Sequence, residues 1–154
     1  MDDLIAELYE ALAAGDGDRM AACYTPDARF VDPVFGELRG PEVGGMWRML
    51  TSQSDGIDVE VTDVATTPTE GTAAWVAHYR FGPDRRPVTN EITARYRFAD
   101  GRIADHVDDF SFPRWARQAL GPIGLVAGWT PWLADRVSRQ ARAGLDRFLA
   151  KDNP

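Results

Sequence analysis

Cysteine is almost missing: Cys23 stands alone in 154 residues, so no internal disulfide forms and no cysteine-based zinc site can be assembled. Histidine is scarce as well. His78 and His106 are the only two, and with carboxylates scattered around them they give no recognisable metal-ligand spacing. The glycines at 36, 40, 44 and 45 fit neither the dinucleotide nor the Walker phosphate-loop pattern, so no cofactor is expected. No long hydrophobic run exists either. The most apolar stretch, Gly121 to Trp129, is too short and too glycine-rich to span a bilayer, and Met1-Asp2-Asp3 is acidic where a secretory signal would be basic. With a lone thiol, these absences lead to the expectation of a cytoplasmic protein.

What is present is an ordinary globular composition, 44% apolar and 27% charged, in a chain the length of one domain with a sizeable core. The net charge of −7 disfavours non-specific contact with nucleic acid or anionic lipid, so neither is expected as a partner. Neutral or cationic small molecules remain open. Cys23 has no histidine near it in sequence and lies on a short apolar segment, which argues for a buried thiol rather than a nucleophile.

Leu4, Ile5, Leu8 and Leu12 recur at helical spacing and Gly15 supplies a stop. Asp16 or Asp18 would cap a second short helix running to Tyr24. Ala28 to Val31 is strand-like, and Pro33 forbids its continuation, which leaves Asp32 at a strand end. Val43, Met46, Trp47 and Leu50 mark a third helix entered through Gly40-Pro41. From Gly56 the period changes: Ile57, Val59, Val61 and Val64 read as a half-buried strand. Ala73 to Phe81 and Val88 to Phe98 follow, and Ala99-Asp-Gly-Arg102 is a hairpin turn before Ile103 to Phe110. Helices followed by a strand meander predict an α+β fold, with the N-terminal helices packed on one face of a curved antiparallel sheet.

Two aspartates stand among apolar strand residues, Asp32 and Asp108. Ionised carboxylates are costly to desolvate, so a buried one has a partner, a raised pKa or a chemical task. Alternation puts His106, Asp108 and Phe110 on one strand face and Asp105, Val107 and Asp109 on the other. An imidazole beside a desolvated carboxylate suits proton transfer near neutral pH. Each residue has a plainer reading. Asp32 before Pro33 is a good turn residue, and Asp108 could pair with Arg95 or Arg97 on a neighbouring strand. His78 alternates opposite Trp75, Ala77 and Tyr79 and is expected outside the pocket.

The run Ala11-Leu-Ala-Ala-Gly15-Asp16, then Asp32-Pro-Val34 and Gly36-Glu-Leu-Arg-Gly40, together with Gly101-Arg-Ile-Ala-Asp-His106-Val-Asp108, resembles the ketosteroid isomerase-like and SnoaL-like branch of the nuclear transport factor 2-like superfamily. The resemblance covers residues 2 to 112. It implies a cone-shaped α+β barrel with an internal hydrophobic pocket, a homodimer, and a bacterial protein of the SnoaL-like type. By position, the resemblance matches Asp32 to the proton-shuttling aspartate of the isomerases and Asp108 to the acid/base of the cyclases. The isomerases' oxyanion tyrosine falls at Leu8 and their protonated aspartic acid at Ala94, so a literal steroid isomerase is not implied. The candidate catalytic residues are thus Asp32, Asp108 and His106. Phe30, Trp47, Trp75, Tyr79, Ala94, Tyr96 and Phe110 are the candidate substrate-binding wall.

Residues 113–154 form a helical extension expected to pack on the domain formed by residues 1–112. Pro113 to Leu120 reads as one helix, Gly121-Pro122 breaks it, and Thr130-Pro131 opens another. Its apolar stripe of Leu133, Val137, Ala141, Leu145, Phe148 and Leu149 lies opposite Arg136, Arg139, Arg142 and Arg147. Trp115, Ile123, Leu125, Trp129 and Trp132 are expected to cover the pocket mouth or extend a dimer interface. Four functional readings follow. The leading one is a cofactor-independent isomerase or cyclase acting on a small hydrophobic ketone-bearing, polyketide-like or steroid-like substrate. A non-catalytic binding module and an epoxide hydrolase of the limonene type are the alternatives, the latter requiring an arginine between two aspartates. A purely oligomer-forming interaction protein is a further possibility.

Overall fold

A computed structural model describes residues 1–152. The chain forms α1 (Asp2–Ala14), α2 (Gly17–Ala22), β1 (Tyr24–Asp32), β2 (Gly36–Arg39), α3 (Pro41–Gln53), β3 (Asp58–Thr66), β4 (Glu70–Phe81), β5 (Arg86–Ala99), β6 (Arg102–Asp109), α4 (Phe112–Leu120), α5 (Pro122–Ala127) and α6 (Pro131–Asp152). The α+β expectation holds. Ile5, Leu8, Tyr9, Ala11 and Leu12 bury one face of α1, and Gly15 ends it in the left-handed region at φ 71°. Asp16, not Asp18, caps α2, its side chain accepting from the Arg19 amide at 3.0 Å.

The six strands run in the order β2-β1-β6-β5-β4-β3 in one curved sheet that does not close, so the expected barrel is open at β2 and β3. Nor is the sheet wholly antiparallel. β1 and β6 are parallel, with Phe30 opposite His106 and Val31 opposite Val107. The cause is topological, because β1 enters from α2 and β6 arrives last to fill the slot between β1 and β5. The short strand β2 was not foreseen; Gly36, at φ 69°, turns the chain back so that Asp32 faces Gly36.

β5 alternates strictly between buried and exposed residues, and the β5–β6 turn uses Asp100 and Gly101 at φ 53° and 73°, the geometry of a two-residue hairpin turn. β3 departs from expectation. It is an exposed edge strand in which Val61 and Val64 remain 37% and 41% accessible, because the helices cover it only partly and the kink at Asp63 breaks its alternation.

The C-terminal helices join the same body. Trp115, Ala116, Ala119, Leu133 and Val137 pack with Val88 of β5, while Leu145 enters the main core. At the α3–α6 crossing, a Cβ on Gly45 would stand 2.4 Å from the Leu149 Cδ2 methyl, so a larger residue there requires Leu149 to move aside. Two expectations about this region need correction. Arg142 does not lie on the free polar face of α6: its guanidinium reaches across to the carbonyls of Phe35 and Glu37. Of the residues expected to cover a pocket mouth or extend a dimer interface, only Trp115 is buried; Ile123, Leu125, Trp129 and Trp132 are bare in the single chain and so cover no mouth, because α5 packs on α4 through its Gly124 face.

Candidate functional site

Strand register decides which side chains meet. β6 lies between β1 and β5, with His106 flanked by Phe30 and Tyr96, and Asp108 opposite Ala94. One alternation further along the parallel pair brings Asp32 toward Asp108. His106 and Asp108 are 1% and 5% exposed, whereas Asp109 is exposed, so the predicted parity of β6 is correct. His78 lies on the outer face as expected, bonded to Thr89 at 3.0 Å.

The interior polar groups form a continuous chain. Trp47 Nε1–H donates to the Tyr24 hydroxyl oxygen at 3.0 Å, that hydroxyl meets His106 Nδ1 at 2.7 Å, and His106 Nε2 meets Asp108 Oδ1 at 2.8 Å. A carboxylate can only accept, so Nε2 carries the hydrogen that faces Asp108; Nδ1 is then the acceptor for the Tyr24 hydroxyl hydrogen, and the Tyr24 oxygen accepts from the indole. Aromatic rings hold the imidazole in place. The Phe30 ring stands edge-on at 5.0 Å and the Tyr96 ring lies 4.5 Å away. Tyr96 also shares a short hydrogen bond with Tyr9 of α1.

Asp32 is held differently. Its Oδ1 accepts from the amides of Val34 and Phe35 at 2.9 and 2.6 Å, the turn role the sequence allowed. Burial nevertheless pushes its pKa up to about 7, the amides of Phe35 and Val34 opposing the rise and the negative charge of Asp108 adding to it. The turn role and the tuned carboxyl are therefore one arrangement. Asp32 is surrounded by protein yet keeps part of its surface accessible. Among the described residues the only sealed and unpaired side-chain polar atoms are Thr25 Oγ1 and Trp75 Nε1. The second oxygens of Asp32 and Asp108, which have no partner among those residues, are thus not sealed.

Burial also raises the hydroxyl pKa values of Tyr9, Tyr24 and Tyr96 well above the ordinary value, with the charge of Asp108 adding to the rise in each. Tyr79 is pushed up to about 12, again by burial first, while the Trp115 indole N–H donates to it at 2.9 Å. All four hydroxyls stay protonated at neutral pH. Burial lifts the Cys23 thiol to about 11, consistent with an unreactive thiol.

The candidate wall residues Phe30, Trp47, Trp75, Ala94 and Tyr96 are buried, with Tyr79 and Phe110 half-buried. The arginine alternative for Asp108 does not hold: Arg97 is opposite Asp105, Arg95 opposite Val107, and both are exposed on the outer face. Sequence reasoning missed Tyr9 and Tyr24. A signal for both existed, since Tyr9 follows Ile5 and precedes Leu12 at helical spacing, and Tyr24 shares the parity of Ala28, Phe30 and Asp32.

A curved mixed sheet, three helices against its inner face and carboxyls converging there define the nuclear transport factor 2-like class. Within it, the chain belongs to the SnoaL-like domain family, whose profile matches residues 5–106. No curated protein matches the chain in sequence. Among solved structures it is similar to a hypothetical protein of ketosteroid isomerase-like fold from Catenulispora acidiphila, in complex with trimethylamine, at 18% identity and a TM-score of 0.69, covering 83% of this chain and 97% of that one. It is similar to an M. tuberculosis epoxide hydrolase of the LEH-like type, at 21% identity and a TM-score of 0.65, covering 81% and 91%. It also resembles SalBIII, an epoxide hydrolase/cyclase-like enzyme of pyran ring formation in polyether salinomycin, at 16% identity and a TM-score of 0.63, covering 71% and 88%. At these identities the likeness establishes the fold.

Proposed function

We propose that this chain is a cofactor-independent acid–base enzyme of the isomerase or cyclase type, acting on a small hydrophobic carbonyl compound. The observation that carries this reading is Asp32: its raised pKa, near 7, makes it both an available base and an available acid at neutral pH. Asp108, oriented through His106 and Tyr24, is the second group, and its unsealed oxygen is placed to take or return a proton. Phe30, Trp47, Trp75, Ala94, Tyr96, Tyr79 and Phe110 form the substrate wall. Residues 113–154 are an extension of this same domain, and the working unit is a homodimer in the cytoplasm.

The test uses a ketone whose α-hydrogens are acidic, β-tetralone, incubated with the protein in deuterated water and followed by mass spectrometry. Enzyme-accelerated deuterium uptake that rises with pH through about 7, and falls at least about a hundredfold in Asp32→Asn, is the expected result. Unchanged uptake in both Asp32→Asn and Asp108→Asn would falsify the assignment. A second reading, a binding module without turnover, is favoured by the aromatic enclosure of His106 and Asp108 and by the trimethylamine complex of one structural neighbour. The epoxide hydrolase reading ranks lower, because no guanidinium accompanies either aspartate among the described residues.

A further inference from the structure

The C-terminal extension exposes an apolar corner. Ile123, Leu125 and Val126 of α5, Trp129 beyond it and Trp132 in the first turn of α6 are between 57% and 74% accessible. Five large apolar side chains bare within ten residues form a patch rather than scattered exposure. Beside them, Trp132, Arg136, Arg139, Gln140 and Ala143 line a surface hollow of about 360 Å³. The Arg136 guanidinium stands 5.6 Å from the Trp132 ring centre, and neither Arg136 nor Arg139 has a carboxylate partner among the described residues.

Charge is divided along the chain. Residues 113–154 carry seven Arg or Lys against three Asp, a net +4, while residues 1–112 carry ten against twenty-one acids, a net −11. The whole-chain charge, which argued against an anionic surface, therefore hides a basic extension on an acidic body.

We propose that this corner docks on an anionic phospholipid surface. The apolar side chains enter the interface, the two indoles sit at headgroup level, and Arg136 and Arg139 take lipid phosphates at the hollow. The acidic body does not prevent this, since exposed charges farther than about 8 Å from the contact are largely screened at physiological ionic strength. A two-fold contact between copies through the same corner is disfavoured, because it brings the basic α6 face of each copy toward the same face of the other. One patch of this size gives reversible attachment. The inference is independent of the chemistry at Asp32.

Co-sedimentation of the full chain with phosphatidylcholine vesicles, with and without phosphatidylglycerol, tests it. Binding only to the anionic vesicles, released by salt, is expected. A blue shift in tryptophan emission should accompany it, arising from Trp129 and Trp132 because Trp47, Trp75 and Trp115 are already buried. Arg136→Gln with Arg139→Gln should weaken binding roughly thirtyfold, and Trp129→Ser with Trp132→Ser should abolish the blue shift. Near-ultraviolet circular dichroism would confirm that these surface variants fold. Failure to sediment with anionic vesicles, or sedimentation that both double variants leave intact, overturns the proposal. So does a self-association, seen by light scattering, that the same variants abolish without any vesicle binding, because it assigns the corner to a second copy.

Discussion

Arg142 of α6 donates through Nη1 to the carbonyl of Phe35 at 3.2 Å and to that of Glu37 at 2.7 Å, while the Phe35 amide donates to Asp32. The C-terminal helix thereby grips the turn that holds the candidate base. Arg142→Ala should cost about 1–3 kcal/mol, the loss of charge-assisted bonds to two backbone acceptors in a partly buried place. Urea denaturation would measure this. A shift of the Asp32 carboxyl resonance in carbon NMR would show that the turn itself loosens, and an unmoved resonance would show that Arg142 matters only for helix docking.

Asp32 makes stability fall as pH rises. Its carboxyl titrates near 4 in the unfolded chain and near 7 in the fold, so between those values the folded state holds a proton that the unfolded state has lost. This stabilising contribution is complete below about pH 4 and gone above about pH 7, a swing of roughly 2–4 kcal/mol once the partial solvent contact of Asp32 is allowed for. Asp32→Asn should flatten that slope in denaturation curves taken at several pH values. A slope identical to that of the parent would show that Asp32 is an ordinary carboxylate.

Tyr24→Phe removes the hydroxyl shared by Trp47 and His106 without altering ring packing. A loss of about 1–3 kcal/mol is expected from the donor and acceptor left unpaired. Nitrogen NMR of His106 should also report a change at Nδ1, which loses its hydrogen-bond donor, while the Asp108 carboxylate keeps the hydrogen on Nε2. An unchanged imidazole spectrum would remove Tyr24 from the chain of bonds.

Cys23 is 3% exposed and its thiol lies well above neutrality, at about 11. A disulfide reagent at neutral pH should therefore label it only as fast as the protein opens, with immediate reaction in denaturant. Instant labelling of the folded protein would place the thiol at the surface.

Periodicity made most of the elements readable, because α1, α3, β4 and β5 each bury one face against the same core and leave the other wet. It misjudged β3, whose valines alternate as an inner strand's would although too little of the fold lies over them. It also missed β2 and α5, since elements of four and six residues carry too few periods to show, and α5 lacks the capping side chain that marked the equally short α2. At the site, Asp32, His106 and Asp108 were legible from local pattern. Their joining through Tyr24 and Trp47 was not, because it depends on the parallel register of β1 with β6, a relation between segments more than seventy residues apart in the sequence. Arg142 escaped for the same reason: its partners are backbone carbonyls, which leave no mark on residue type.

The bare margin at β3 has its own consequence. An unpaired strand edge is a template onto which another chain can add by backbone hydrogen bonding. Here Asp58, Glu60 and Asp63 stand along that margin, and Asp63 kinks it. An incoming strand meets negative charge and broken register together, so the molecule resists lengthening its sheet into a fibre even though the barrel never closes.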